Sequence, residues 1–150
     1  MEFVRLNESN VEEYIEYLEH AFSLEPDMMC AESVDKDEIR ARVKDGFYNN
    51  TTSVLAMESG KVIGRIEYHF YGCMQDGCKM AYVDWVYVLP EFRHRGVARQ
   101  LFKEFESDCK QNGIDQYYLI RAENPDADKF YHSFEKAELS RVPLLGKYLK

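Results

Sequence analysis

Apolar residues recur every third or fourth position in three stretches of the chain, which is the spacing of an amphipathic helix. The first stretch follows Asn10 and ends before Pro26, and the second follows Asp35. Asn10 and Asp35 each precede a glutamate by three residues, the capping-box pattern of a helix start. Asn112-Gly113 closes the third stretch. The apolar positions of the predicted helices are Val11, Tyr14, Ile15, Leu18 and Phe22; Ile39, Val43 and Phe47; and Val97, Leu101, Phe102, Phe105 and Cys109.

Runs rich in β-branched and aromatic residues predict the strands. A turn at Ser59-Gly60 joins two of them into a hairpin, and Leu89-Pro90 ends the next, since proline cannot donate to a sheet ladder. A short fourth helix begins at Asn124, with Pro125 in its first position. The order β-α-α-β-β-β-α-β-α-β predicts an α/β (α+β) fold with a mixed sheet. The strands are residues 3–6, 52–58, 62–71, 80–88 and 116–122, and a last edge strand comes from Leu144-Leu145 and Tyr148-Leu149.

The chain has 150 residues, 45% of them hydrophobic, which suffices for one core and is too short for two. It contains no repeat or linker, so a single domain over residues 1–150 is expected. No stretch approaches the roughly 20 apolar residues that span a bilayer, and the N-terminal residues lack the layout of a secretory signal. The expected location is therefore the cytoplasm.

The four cysteines, Cys30, Cys73, Cys78 and Cys109, are expected to be reduced thiols in such a location. Only Cys73 and Cys78 are close in sequence, and no matching Cys or His pair accompanies them. The residues between them are typical of a turn, which predicts the two ends of a hairpin. No metal site is expected.

The net charge of -8 is confined to the first third of the chain. Residues 1–50 contain 13 acidic and 5 basic residues, whereas residues 51–150 contain 14 of each. Such a surface repels nucleic acid and anionic lipid and favours cationic partners. Solvated faces of two helices account for most of these side chains equally well.

The most informative segment is residues 84–98, where a buried strand passes through a tight turn into an amphipathic helix. The first N–H groups of a helix have no intrahelical acceptor, so this turn is suited to an anion. Gly96 permits close approach of a ligand to the backbone, and Arg93, His94 and Arg95 add positive charge. The segment lacks the Gly-Lys-Ser/Thr of a Walker loop and the three glycines of a dinucleotide fingerprint. A phosphate or pyrophosphate is the ligand that it implies.

Two motifs resemble those of the GNAT family of N-acetyltransferases. Residues 93–98, Arg-His-Arg-Gly-Val-Ala, resemble its Arg/Gln-x-x-Gly-x-Gly/Ala signature, and residues 124–131, Asn-Pro-Asp-Ala-Asp-Lys-Phe-Tyr, resemble its Asn-x-x-Ala-x-x-Phe-Tyr helix. The order of elements is similar too, so the resemblance covers nearly the whole chain. It implies a mostly antiparallel central sheet flanked by helices, acetyl-coenzyme A (acetyl-CoA) as cofactor, and acetyl transfer to an amine.

The resemblance also implies roles for individual residues. A main-chain amide near the middle of the strand before the first motif would stabilise the oxyanion, and by spacing this is Val86 or Val88, with Val86 favoured. Tyr131 would assist the leaving thiolate. Residues implied in coenzyme A binding are Val86, Tyr87, Val88, Arg93, His94, Arg95, Gly96, Val97, Ala98, Arg99, Asn124, Ala127, Phe130 and Tyr131.

Asp84 interrupts the apolar run of its strand and is the leading candidate for the base that deprotonates the amine. It is expected to share a strand face with Val86 and to be partly desolvated, which suits a general base. An internal ion pair with Arg65 or Arg121 explains the same aspartate equally well. Glu67 and His69, on one face of the previous strand, are second choices.

The acceptor is expected to be a small cationic amine of the aminoglycoside or polyamine class. Three acids in the loop after the first helix, Glu25, Asp27 and Glu32, are the best candidates for direct contact with it, beside Glu67, His69 and Asp84. Two alternatives remain open at this point: protein or peptide N-acetylation, and a module that senses acetyl-CoA without turnover. The short tail leaves a sheet edge that a second copy of the chain could cover, giving a homodimer.

Overall fold

The computed structural model describes residues 1–29 and 32–149, in two compact units, Met1–Leu119 and Ile120–Lys150. The first unit contains five strands and three helices. The strands are β1 (Glu2–Arg5), β2 (Thr51–Glu58), β3 (Lys61–Gly72), β4 (Lys79–Val88) and β5 (Gln116–Leu119), and the helices are α1 (Val11–Leu24), α2 (Lys36–Arg42) and α3 (Val97–Gln111). The second unit contains α4 (Pro125–Tyr131).

The five strands form one sheet in the order β1-β2-β3-β4-β5. Neighbouring strands from β1 to β4 are antiparallel, whereas β5 runs parallel to β4. Short turns reverse the chain between β2 and β3 and between β3 and β4, and the long segment with α1 and α2 joins the antiparallel β1 and β2. The parallel pair needs a crossover connection, here through α3. The mixed, mostly antiparallel sheet of the prediction is confirmed.

The sheet is covered on both faces. On one face, α1 buries Val11, Ile15 and Ala21 against a cluster that includes Leu55 and Tyr87. Burying such a face removes apolar area from water at about 25 cal/mol per Å², the main gain in forming this layer. On the other face, the Phe105 ring of α3 lies 4.7 Å from the Tyr68 ring and 4.9 Å from the Tyr117 ring.

Asp108 is a buried carboxylate on α3 whose partners come from distant parts of the chain. It accepts hydrogen bonds from the Tyr68 hydroxyl at 2.6 Å and from the Asn112 side chain at 3.1 Å, and Arg5 lies 2.9 Å away. Buried charges require such pairing. The network therefore joins α3 to β1 and β3, and burial raises the pKa of Tyr68 well above its ordinary value.

A β-bulge interrupts the pairing of β3 with β4. Glu67 pairs with Trp85 but the next residue, Tyr68, pairs with Val83, so Asp84 is the extra residue. A bulge shifts the alternation of side chains by one position and bends the strand. Pairing of β5 with β4 stops at Val83, directly before the bulge.

Several local predictions need correction. The Asn10 side chain does not cap α1; it accepts from the Asn7 amide at 2.8 Å and donates to the Arg5 carbonyl at 2.9 Å. Helix α2 ends at Arg42, because Asp45 caps a new 3-10 turn, Gly46–Asn50, which leaves Phe47 84% exposed. Asp35 does cap α2 as predicted, accepting from the Glu38 amide at 3.0 Å.

The predicted strand 116–122 is shorter in the structure, because β5 ends at Leu119 and the second unit begins at Ile120. Within the described residues 120–149 no strand forms, so the last edge strand at Leu144-Leu145 and Tyr148-Leu149 was wrong. Helix α4 has the predicted start, with the Asn124 side chain accepting from the Ala127 amide at 2.9 Å. Arg121 forms an ion pair with Asp128 of this helix.

Candidate active site

Beyond the bulge, the edge of β4 that faces away from β3 has no neighbouring strand among the described residues. Within residues 1–119, β4 has a second strand partner only over Met80–Val83. The Leu89 amide donates to the Ile63 carbonyl on β3 at 3.0 Å, and residues of an antiparallel strand face alternate edges. The backbone N–H and C=O groups of Val86 and Val88 therefore point away from β3, whereas those of Tyr87 point toward it. The amides of Val86 and Val88 are the two predicted from the sequence to stabilise an oxyanion.

The turn after β4 delivers the chain into α3 through two residues with left-handed backbone, His94 with φ 60° and Gly96 with φ 80°. Gly96 is the N-cap of α3, and no side chain caps that helix end in the described part of the chain. The N–H groups of Val97 and Ala98 have no intrahelical acceptor. A Cβ at Gly96 would meet nothing within 4 Å, so the space over this turn is open. These features fit a pyrophosphate.

The side chains of this segment divide into anchors and exposed groups. Val97 is buried, so only its backbone can contact a ligand, whereas His94 and Arg99 are exposed. Arg95 is half exposed, lies 2.8 Å from Glu58 and stacks at 5.2 Å over the Phe92 ring. The guanidiniums of Arg95 and Arg99 are therefore more accessible to a ligand at this turn than that of Arg93, whose side chain is 33% exposed.

Arg93 holds the turn in place. Its Nε donates to the Val88 carbonyl at 3.0 Å, its guanidinium pairs with the Glu25 carboxylate, and it lies 5.3 Å from the centre of the Tyr87 ring. The Tyr87 hydroxyl also donates to Glu25, at 2.7 Å. These bonds, those from Arg93 foremost, hold the pKa of Glu25 below its ordinary value. Glu25, predicted to contact the acceptor, is thus engaged with the turn between β4 and α3.

We expect Glu25→Gln to lower the free energy of unfolding by about 1 kcal/mol at pH 7, because it removes a charge-assisted contact that is about a third exposed. A carboxylate whose folded pKa is lowered stabilises the fold above its unfolded value of about 4.3, and that stabilisation is lost as pH falls through the folded pKa. The deficit should therefore shrink toward pH 3. Urea unfolding at both pH values tests this, with Asp27→Asn, an exposed acid of the same loop, as control. A deficit that is equal at both pH values would contradict it.

A cavity of about 430 Å³ lies on the α1 side of the sheet. Its walls come from α1, α2, the turn Gly46–Asn50 and strands β2 to β4. Asp84 and Trp85 both line it although they are adjacent in sequence, which is a consequence of the bulge. Val86 pairs with Ile66, away from this face. The prediction that Asp84 shares a face with Val86 was therefore wrong.

The Asp84 side chain lines this cavity and is 48% exposed, so it is only partly withdrawn from water. Its nearest ionisable partner in the described residues is His69, whose Nε2 lies 4.0 Å from Oδ2 of Asp84. Arg65, one of the two ion-pair partners considered from the sequence, pairs with Glu67 at 2.8 Å instead. Arg121, the other, pairs with Asp128 within the second unit. The other nitrogen of His69 lies 3.3 Å from the Thr51 hydroxyl.

The cavity lining includes a nearly buried ion pair, Arg65 with Glu67, which was not predicted from the sequence. Arg65 and Glu67 are 12% and 20% exposed, and Ser53 donates to the same Glu67 carboxylate. The Arg65 guanidinium lies 5.4 Å from the Tyr14 ring and 5.8 Å from the Trp85 ring. The signal was available in part, because Arg65, Glu67 and His69 alternate along one strand and so share a face.

The loop acids take other positions than predicted. The acids that line the cavity are Asp35, Asp45, Glu67 and Asp84, and neither Asp27 nor Glu32, both exposed, is among the described lining residues. Two of the lining acids cap backbone turns, Asp35 at α2 and Asp45 at the following 3-10 turn. Asp27 and Glu32 are therefore not placed to contact an acceptor bound in this cavity.

The second unit contains the remaining predicted residues. Asn124 and Ala127 form the cap of α4, and the Phe130 and Tyr131 rings contact each other at 5.2 Å and contact Phe134 at 5.1 and 5.8 Å. Burial raises the pKa of Tyr131. A tyrosine with a raised pKa keeps its proton at neutral pH and can act as a hydrogen-bond donor.

The cysteines Cys73, Cys78 and Cys109 are free thiols, and Cys30 lies outside the described residues. Cys73 and Cys78 do face each other in the predicted hairpin, with the Cys73 amide donating to the Cys78 carbonyl at 2.9 Å. Within residues 1–29 and 32–149 no three His, Cys, Asp or Glu side chains are grouped to hold a metal. None of the described helices is long and apolar enough to cross a membrane.

Comparison with known proteins gives one family match and many structural matches. Residues 10–135 match the acetyltransferase (GNAT) family. A comparison with curated protein sequences finds no match.

Three solved structures share the fold. An aminoglycoside acetyltransferase from an uncultured soil metagenomic sample, in complex with trehalose, is 17% identical with a TM-score of 0.80, covering 99% of this chain and 96% of that one. Aminoglycoside N-acetyltransferase AAC(6')-Iy in complex with CoA is 20% identical with a TM-score of 0.74, covering 97% and 93%. Ribosomal-protein-alanine N-acetyltransferase from Brucella melitensis biovar Abortus 2308 is 15% identical with a TM-score of 0.74, covering 98% of each chain.

The family match extends over most of the chain and includes both sequence motifs. The chain belongs to the GNAT family of acetyl-CoA-dependent acetyltransferases.

Proposed function

We propose that this protein transfers an acetyl group from acetyl-CoA directly to the primary amine of a small cationic molecule. The observation that supports this most is the cavity of about 430 Å³, which reaches the bulge of β4 and has four carboxylates in its lining against two guanidiniums. Small-molecule sites typically have volumes of about 300–1,000 Å³. The excess of negative charge at this cavity favours an ammonium group.

Coenzyme A would be held by the turn and helix start from Arg93 to Arg99, together with the open edge of β4 at Val86 and Val88. When bound, acetyl-CoA supplies an activated thioester. The amides of Val97 and Ala98 donate hydrogen bonds to an anion at the helix start, and those of Val86 and Val88 donate where negative charge develops on a carbonyl oxygen. In this proposal α4 positions Tyr131, and the role of Asn124, Ala127 and Phe130 is to form that helix.

Asp84 is the proposed base. An alkylammonium has a pKa near 10.4 and must lose a proton before it can attack. The half-exposed Asp84 carboxylate can accept that proton directly or through a water, and His69 at 4.0 Å is the neighbouring group that can relay it. Tyr131 is the proposed donor to the leaving sulfur.

Thiol release from acetyl-CoA across a panel of amines tests the proposed function. Aminoglycosides, polyamines, simple monoamines and peptides with a free N-terminus form the panel, because the structural matches include aminoglycoside and ribosomal-protein acetyltransferases. Amine-dependent release with a small cation supports the proposal. Release with peptides alone indicates protein acetylation, and coenzyme A binding without any release indicates a sensor.

We expect Asp84→Asn to lower kcat/KM for the amine by about 10²-fold, the usual lower range for loss of a general base. Dissociation constants for acetyl-CoA should stay unchanged, since Asp84 lies on the cavity side of the bulge. Asp76→Asn, at an exposed residue in the turn between β3 and β4, is the control for loss of one acidic charge. An Asp84→Asn enzyme with the parent's rate from pH 6 to 9 would remove Asp84 from the mechanism.

A further inference from the structure

The lining of the cavity narrows the substrate class, on the basis of the proposed function. We infer that the acceptor is a monoamine, with one primary ammonium on an apolar, ring-containing body, and not a polyhydroxylated aminosugar or a polyamine. The inference rests on where the cavity has unneutralised charge and on what covers the rest of its wall.

Most of the carboxylates in the cavity lining are already engaged by neighbouring groups. Arg65 pairs with Glu67, and Arg42 pairs with Glu38 at 2.6 Å. Asp35 and Asp45 each accept a backbone N–H at a helix or turn start. Asp84 is different, because its nearest ionisable partner among the described residues is His69, at 4.0 Å, and it caps no helix or turn. Asp84 is therefore the lining carboxylate best placed to receive the ammonium of the acceptor.

The cavity lining exposes more apolar than polar surface. Its apolar side chains come from α1, α2, the 3-10 turn and β4, and include Leu18, Phe22, Ile39, Val43, Tyr48 and Trp85. Its hydroxyl groups are partly used already, since Ser53 donates to Glu67 and Thr51 bonds to His69. Hydroxyl-rich rings buried here would leave polar groups without partners, whereas an apolar ring would lose nothing.

Phe22 is the residue chosen to test the apolar part of the cavity lining, because its replacement is expected to retain the fold. It lines the cavity, yet it belongs neither to the described core cluster nor to the partly buried residues packed against that cluster. Phe47 provides a matched control, since it is 84% exposed and is not among the described lining residues.

The test compares kcat/KM for 2-phenylethylamine, ethanolamine, spermidine, sisomicin and a peptide with an N-terminal alanine, in the parent, Phe22→Ala and Phe47→Ala. We expect the parent to favour phenylethylamine by tenfold or more. Phe22→Ala should reduce that preference over ethanolamine by about tenfold, the scale on which apolar pocket contacts discriminate substrates, and Phe47→Ala should leave it unchanged.

A preference for sisomicin, spermidine or the peptide would overturn the inference, and so would a Phe22→Ala variant that slows phenylethylamine and ethanolamine equally. A preference for sisomicin or spermidine would still uphold transfer to a small cationic amine. Absence of turnover with all five acceptors, with coenzyme A still bound, would overturn the proposed function and the inference together. Thermal unfolding of both variants checks that the fold is retained.

Discussion

Replacing Gly96 with valine is expected to weaken coenzyme A binding by about 3 kcal/mol, as measured by calorimetry, because the side chain blocks close approach of the pyrophosphate to the backbone. Gly96 caps α3 with a φ of 80°, and apart from its chain neighbours no described atom lies within 4 Å of its Cβ position. A Cβ at this position therefore has open space. It fills the space over the helix start.

Backbone strain is the competing explanation, since a β-branched residue at positive φ is unfavourable wherever it occurs. Gly60 provides the matched control: its φ is 77°, its Cβ position is equally open, and it lies in the turn between β2 and β3. Gly60→Val should lose comparable stability and keep full coenzyme A affinity. If both variants bind coenzyme A as the parent does, the turn at residues 93–98 is not the pyrophosphate site.

Replacing Tyr131 with phenylalanine is expected to lower kcat by about 10²-fold, with little change in the dissociation constant of acetyl-CoA. The ring remains among Phe130 and Phe134, so packing of the second unit is preserved. Only the hydroxyl is lost. Because burial raises the pKa of Tyr131, this hydroxyl keeps its proton at neutral pH, and its contribution is a hydrogen bond to the developing thiolate.

The effect should therefore be independent of pH between about 6 and 9, which steady-state rates over that range can check. Tyr148→Phe makes the same change at a residue of the same unit that is 95% exposed, and it should leave kcat unaltered. A Tyr131→Phe enzyme with the parent's kcat would make Tyr131 an aromatic packing residue only. A defect confined to acetyl-CoA binding would assign the hydroxyl to cofactor recognition.

Predictions that depended on neighbours in sequence agreed well with the structure. The caps at Asp35 and Asn124, the turn at Ser59-Gly60 and the entry into α3 are all formed as expected. In each case a few consecutive residues fix the backbone by their own hydrogen bonds or by tolerating left-handed φ. Asn10 is the exception, because carbonyl and amide groups of residues 5 and 7 engage its side chain instead.

Predictions about which side chains meet were less successful, because they depend on strand register and on packing. An uninterrupted strand would place Asp84 beside Val86, but one extra residue in β4 moves it to the opposite face, beside Trp85. The alternation rule itself holds on each side of the bulge. The sequence contains no clear signal of where the register shifts.

What the sequence by itself determined is the order of elements as far as α4 and the glycine turn into α3, since the helix start, Gly96 and the basic residues around it lie within ten positions. The tertiary structure decided how the cavity is built. Glu25 meets Arg93 across 68 positions, and the cavity draws its wall from six elements between residues 6 and 85. Such contacts form only when α1 and α2 pack on the sheet, because their geometry follows from burial of apolar faces and not from local backbone preference.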